Sequence, residues 1–171
     1  VLSSIDDKPR AFVYGAAGTG KSLLAVEKLK TTMCKKKKVA YICFNSNMAS
    51  YVKENVKGND GSYIGTYHAL LGEYVVNSHE LELEELNEAF IEQKVIPKRT
   101  FDLIIIDEAQ DILSESTLCC LDKFVKLGLS SGEWIFFADP NQDIFLKGNF
   151  FADTVKIIKE ISMKEMVVAV L

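Results

Sequence analysis

Short apolar runs recur along the chain at 11–14, 39–44, 63–65, 103–106, 134–138 and 167–171. Segments with helical spacing lie between them, at 21–33, 47–56, 68–76, 80–94, 115–127 and 153–161. Strand candidates alternating with helix candidates predict βαβ units, hence an α/β fold with a parallel sheet. Right-handed crossovers then put helices on both faces. Leu103-Ile104-Ile105-Ile106 has no polar face, the mark of a strand covered on both sides. Residues 58–61 read as a turn, and Gly128 as the C-cap of the helix at 115–127. The stretch 77–99 breaks the alternation. Leu81, Leu83, Leu86, Phe90 and Ile91 form one apolar stripe there, opposite an acidic face whose charges crowd the first half. It reads as a small helical insertion beside the sheet, or else as a partner-docking helix.

Composition narrows the class. At 171 residues the chain has one domain's worth of core, and 48% hydrophobic with 26% charged residues is ordinary for a globular protein. A net charge of −4 argues against a basic footprint spread over the whole domain, though not against a local nucleic-acid face. The one basic run, Lys35 to Lys38, reads as a solvated turn, with a phosphate contact as the alternative. Cys34, Cys43, Cys119 and Cys120 lack metal-ligand spacing, so no zinc is expected and thiols in a reducing cytoplasm are the simple reading. No segment has the length of a membrane span, and no signal peptide is visible at Val1-Leu2-Ser3-Ser4.

The chemistry begins where the first apolar run ends. Gly15-Ala16-Ala17-Gly18-Thr19-Gly20-Lys21-Ser22 fits the phosphate-binding P-loop pattern, between a strand candidate and a helix candidate. Glycines let backbone N–H groups turn inward around phosphates, and the helix N-terminus adds partial positive charge. Lys21 supplies a full charge to the β- and γ-phosphates of ATP, and the Ser22 hydroxyl is a ligand for Mg²⁺. Downstream, Asp107 and Glu108 follow the buried run at 103–106, at the strand end where open α/β sheets place ligands. Asp107 is expected to hold Mg²⁺ and Glu108 to act as the base that polarises the attacking water. After the run at 134–138 comes Asp139-Pro140-Asn141-Gln142, whose amide Gln142 is suited to sensing the γ-phosphate.

Taken together, these residues resemble the UvrD/Rep-like helicases of superfamily 1. Asp107-Glu108-Ala109-Gln110-Asp111 matches that family's D-E-A-Q-D motif II letter for letter. Residues 138–145, Ala-Asp-Pro-Asn-Gln-Asp-Ile-Phe, are similar to its motif III. Val39 to Ala49 resembles motif Ia, and Thr66-Tyr67-His68-Ala69-Leu70 looks like its T-F-H motif. The resemblance implies one RecA-like ATPase domain over 1–171, with Lys21, Glu108 and Gln142 catalytic. It implies single-stranded DNA contacts by Phe44, Asn45, Thr66 and His68. An aromatic that stacks on a base beside small polar donors suits strand binding. From the residues alone, Phe44 is equally a core aromatic, and a histidine bonded locally at a helix start is the alternative for His68.

Departures from the family pattern qualify the expectation. The family works with two RecA-like domains, the second supplying an arginine finger, and this chain shows no second unit of that kind. The adenine-recognising glutamine falls at or before Val1. The chain therefore reads as part of something longer, partnered by that second domain and by single-stranded DNA. Two other functions stay open: an ATP-dependent switch that does not unwind nucleic acid, and, ranked lower, an AAA+-type ATPase.

Overall fold

The computed structural model describes residues 8–58, 60–139, 150–162 and 166–171. Strands Arg10–Tyr14 (β1), Val39–Cys43 (β2), Tyr63–Thr66 (β3), Leu103–Ile106 (β4), Glu133–Ala138 (β5) and Met166–Val170 (β6) form one sheet in the order β3-β2-β4-β5-β1-β6. Every pairing is parallel, with Val13 opposite both Phe137 and Ala169 and Tyr41 opposite both Ile64 and Ile105. All six C-terminal strand ends therefore meet at one edge. Six strands were expected, each within about one residue of its observed place.

Strand residues alternate between two separate cores. Ala11, Val13, Tyr41, Leu103, Ile105, Ile135 and Phe137 face Lys21–Cys34 (α1) and Ser46–Asn55 (α2), packing on Ala25, Leu29, Ala49 and Val52. Phe12, Ile42, Ile104, Ile106, Trp134 and Phe136 face Tyr67–Gly72 (α3), Leu83–Glu92 (α4), Glu115–Asp122 (α5), Gly128–Ser131 (α6) and Phe150–Ile161 (α7). Aromatic rings hold much of this second core: Trp134 stacks on Phe136 at 4.5 Å between centroids, and Phe124 touches Tyr74, Phe90 and Phe101. Helices on both faces of a parallel α/β sheet are what the hydrophobic pattern predicts.

Several helix boundaries differ from the sequence expectation, and α7 starts at Phe150 rather than at 153. The helix expected over 115–127 ends at Asp122, because Phe124 and Val125 turn into the core. There Phe101 N–H donates to the Phe124 carbonyl at 2.8 Å and Lys126 N–H to the Phe101 carbonyl at 2.9 Å. Gly128, expected as a C-cap, opens α6 at φ 72°, while Asp122 accepts from the Leu129 N–H at 2.7 Å. The helix expected over 68–76 stops at Gly72. The insertion splits into a 3₁₀ turn at Ser78–Glu80 and α4, with Leu81 extended between them.

In α4 the buried residues are Leu86, Asn87 and Phe90, and Ile91 is 36% exposed, so the stripe is narrower than its apolar letters suggest. Asn87 anchors the insertion. Its Oδ1 accepts from the Tyr67 hydroxyl at 2.7 Å, and its Nδ2 donates to Ser116 and Thr117 of α5 at 2.9 and 3.0 Å. A fully buried amide is tolerated because its polar groups are met. The basic run lies at the other end of the sheet from the P-loop, where Lys37 pairs with Glu133 at 2.8 Å. Cys43 and Cys120 are buried and Cys34 and Cys119 exposed, all as free thiols. Among the described residues no helix is long and apolar enough to cross a membrane.

Candidate nucleotide and nucleic-acid site

The P-loop leaves the C-terminal end of β1 and runs directly into α1. Gly18 and Gly20 take φ of +80° and +89°, a region that L side chains rarely adopt, and Gly20 is the N-cap of α1. No side chain caps this helix, so its first N–H groups face the loop. Gly15 has no room for a Cβ against Thr19. Lys21 is 5% exposed and folds back, its ammonium donating to the Gly15 carbonyl at 2.8 Å and the Ala16 carbonyl at 3.1 Å. A buried cation held, among the described residues, by backbone carbonyls has no counter-charge in these bonds, and phosphate oxygens fit that deficit.

Asp107 follows β4, its N–H donating to the Ile42 carbonyl of β2 at 2.9 Å. Its carboxylate is 1% exposed. Oδ2 accepts from the Tyr41 hydroxyl at 3.0 Å, and Oδ1 is buried with no hydrogen-bond partner among the described residues. Burial pushes the carboxyl above its usual range, opposed by the hydroxyls of Ser22 and Tyr41. A buried carboxylate with one bare oxygen beside a hydroxyl on the P-loop fits a hard divalent cation such as Mg²⁺. Its charge reaches further: burial first and Asp107 second push the Cys43 thiol up to about 11.

Glu108 takes the left-handed conformation at φ 55°, uncommon for a residue with a Cβ, and leads into the 3₁₀ turn Ala109–Asp111. Its Oε2 accepts from Gln110 Nε2 at 2.7 Å. The Gln110 Oε1 accepts in turn from the backbone N–H of Asp139, at the end of β5, at 3.0 Å. Gln110 and Tyr41 are site residues that the sequence motifs do not single out. Their signals were slight: an amide inside the D-E-A-Q-D string, and a hydroxyl inside an otherwise apolar strand. Gln142 lies outside the described residues.

The four residues expected at nucleic acid come together at the neighbouring strand ends. Phe44 is 60% exposed, so it is not a core aromatic. Asn45 caps α2, accepting from Asn47 N–H at 2.8 Å, and Thr66 caps α3, accepting from Ala69 N–H at 3.2 Å. Phe44, Thr66 and His68 line one cavity of about 280 Å³ with Leu81 and Leu83 of the insertion and Ile112. His68 Nε2 lies 3.0 Å from the Leu81 carbonyl, so the local bond weighed for this histidine exists while its ring also lines the cavity. The insertion thus supplies one wall.

The Schlafen group 3, DNA/RNA helicase domain family matches residues 8–168. Among solved structures, the Pif1 helicase from Candida albicans is similar over 99% of this chain at 18% identity and a TM-score of 0.55. That likeness shows the fold, and the chain spans 38% of the Pif1 chain's length. No curated protein matches. Both findings agree with a helicase-type domain, and neither points to the UvrD/Rep group in particular. With nearly its whole length covered by that match, the chain belongs to the Schlafen group 3 DNA/RNA helicase domain family.

Proposed function

We propose that this domain is the ATP·Mg²⁺-binding motor unit of a superfamily 1 type helicase, coupling hydrolysis to movement along single-stranded nucleic acid. One observation carries most of the reading. The Asp107 carboxylate, buried and with Oδ1 unpartnered among the described residues, follows β4 at the same sheet edge at which the P-loop follows β1. This joins the two motifs that nucleotide hydrolysis needs, although they are far apart in sequence.

The residues divide the work by position. The backbone from Gly15 to Gly20 cradles the phosphates, with Ala16, Ala17 and Thr19 contributing through their main chain. Lys21 exchanges its carbonyl partners for phosphate oxygens. Ser22 and Asp107 are the residues that would hold the cation, which would supply positive charge against the charge developing on the transferring phosphoryl group. Glu108, steadied through Oε2 by Gln110, keeps its other oxygen to accept a proton from the attacking water. Gln142 keeps the role of γ-phosphate sensor from the family resemblance. Phe44, Asn45, Thr66 and His68 serve the strand, Phe44 as the exposed stacking ring. A second RecA-like domain supplies the arginine finger.

Titration with a fluorescent ATP analogue tests the nucleotide site. Lys21→Ala removes a charge-assisted contact worth roughly 1.5–3 kcal/mol, so affinity should fall about tenfold or more while circular dichroism stays unchanged. Equal affinity in a folded Lys21→Ala chain would overturn the P-loop assignment.

A further inference from the structure

Strand β2 is apolar along its length except for the tip of Tyr41. The Tyr41 side chain is fully buried under α1 and α2, where phenylalanine would pack as well and leave no hydroxyl to satisfy. That hydroxyl donates to Asp107 Oδ2 at 3.0 Å, and the other oxygen, Oδ1, has no partner among the described residues. So the phenol occupies one of the two carboxylate oxygens in a pocket closed to water.

We propose that Tyr41 is a positioning residue for the divalent cation: its hydroxyl fixes Asp107 through Oδ2 and leaves Oδ1 as the oxygen that serves the metal. The proposal rests on the reading of Asp107 as the magnesium residue. A neutral donor suits this task better than a lysine or arginine. It orients the carboxylate and offsets part of its desolvation, yet leaves the full negative charge for the cation. Outer partners that orient a ligating carboxylate typically contribute 10–100-fold to metal affinity. The location is also right, because β2 lies beside β4 and the Asp107 N–H is itself bonded to β2 at Ile42.

The test is Mn²⁺ binding, followed by electron paramagnetic resonance on the ADP complex of the whole chain. It compares the wild type, Tyr41→Phe, Asp107→Asn and the double variant. Tyr41→Phe should weaken Mn²⁺ about 10–100-fold while leaving metal-free nucleotide binding in EDTA unchanged. In the Asp107→Asn background it should weaken Mn²⁺ no further, as expected for groups acting through one contact. Unchanged Mn²⁺ affinity in Tyr41→Phe, with Asp107→Asn weakened, overturns the proposal alone. So do fully additive losses in the double variant. Unchanged affinity in Asp107→Asn sinks the magnesium reading beneath it. A purely structural hydrogen bond would lower thermal stability and leave the Mn²⁺ curve in place. If Tyr41→Phe does not fold, 3-fluorotyrosine in the otherwise native chain replaces it. The ¹⁹F resonance of Tyr41 should then shift when Mg²⁺ is added to the ADP complex, and a stationary resonance overturns the proposal.

Discussion

Gln110 holds Glu108 by a 2.7 Å hydrogen bond from its amide nitrogen, while its carbonyl oxygen takes the backbone N–H of Asp139 at 3.0 Å. One buried side chain thus ties the proposed base to the end of β5, the strand that leads towards Gln142. Gln110→Ala should leave the Asp139 N–H without this partner, at a cost of about 1–3 kcal/mol, and set Glu108 loose. For a domain of this size that is a fall in Tm of roughly 2–4 °C per kcal/mol. Hydrolysis should fall with little change in nucleotide affinity. Differential scanning fluorimetry and an ATP titration read the two effects, and an unaltered Tm would count against the linkage.

Asp107 should destabilise the fold at neutral pH. Burial is the largest influence on its carboxyl and raises it in the folded state, so the folded chain binds its proton more tightly than the unfolded chain. Its contribution to stability is therefore complete below the ordinary carboxyl value of about 4 and is lost as pH rises through the raised folded value. Asp107→Asn should be more stable than wild type at pH 7, with the difference shrinking towards pH 4. Asp102 works in the opposite sense, because the Lys38 N–H is the largest influence on it and lowers its carboxyl. Its effect is common to both proteins and cancels in the comparison. Urea unfolding at the two pH values decides, and a wild type more stable than Asp107→Asn at pH 7 would be the wrong sign.

The 171-residue chain alone should hydrolyse ATP slowly. Its two arginines lie at the sheet edge opposite the P-loop. Arg10 opens β1 and donates to the Gly132 carbonyl at 3.3 Å, and Arg99 binds both oxygens of Glu73 at 2.6 and 2.7 Å. An arginine at the transferring phosphoryl group is worth about 10³–10⁵ in rate. In a longer protein that supplies one, Glu108→Gln should lower turnover roughly 10²–10⁴-fold and spare nucleotide binding. Steady-state assays with and without single-stranded DNA check both statements. Rapid DNA-stimulated turnover by the isolated chain would mean that an arginine reaches the site from another copy.

Asn87→Ala should loosen the insertion. It strips the buried Tyr67 hydroxyl of its acceptor, and the half-buried Ser116 and the buried Thr117 of a donor. A loss of about 1–3 kcal/mol is expected, and more if the alanine cavity does not collapse. Chemical denaturation measures it. Hydrogen exchange of α4 should rise ahead of exchange in the sheet, since the network is what joins α4 to α3 and α5. Equal protection of α4 in both proteins would show that Leu86 and Phe90 suffice to hold it.

What the sequence determined by itself was whatever is written in neighbouring residues. The P-loop pattern put Gly18 and Gly20 where positive φ is needed, and the polar-free run from Leu103 to Ile106 announced a strand covered on both faces. The two acids after that run placed the candidate site at a strand end. Tertiary structure decided what depends on contacts between distant segments. The helix pattern at 115–127 could not show that Phe124 would turn inward to pair with Phe101, nor could the letters of α4 show that Ile91 would stay outside. Nothing near Phe44 distinguished a core ring from an exposed one until Thr66, His68 and the insertion closed a cavity beside it. Tyr41 and Asp107 are 66 residues apart and meet because β2 lies next to β4 in the order β3-β2-β4-β5-β1-β6. Local pattern encodes which segments become strands, but strand order follows from crossovers and packing of the whole chain. That is why the P-loop was legible in one stretch of sequence, and the hydroxyl that orients its partner carboxylate was not.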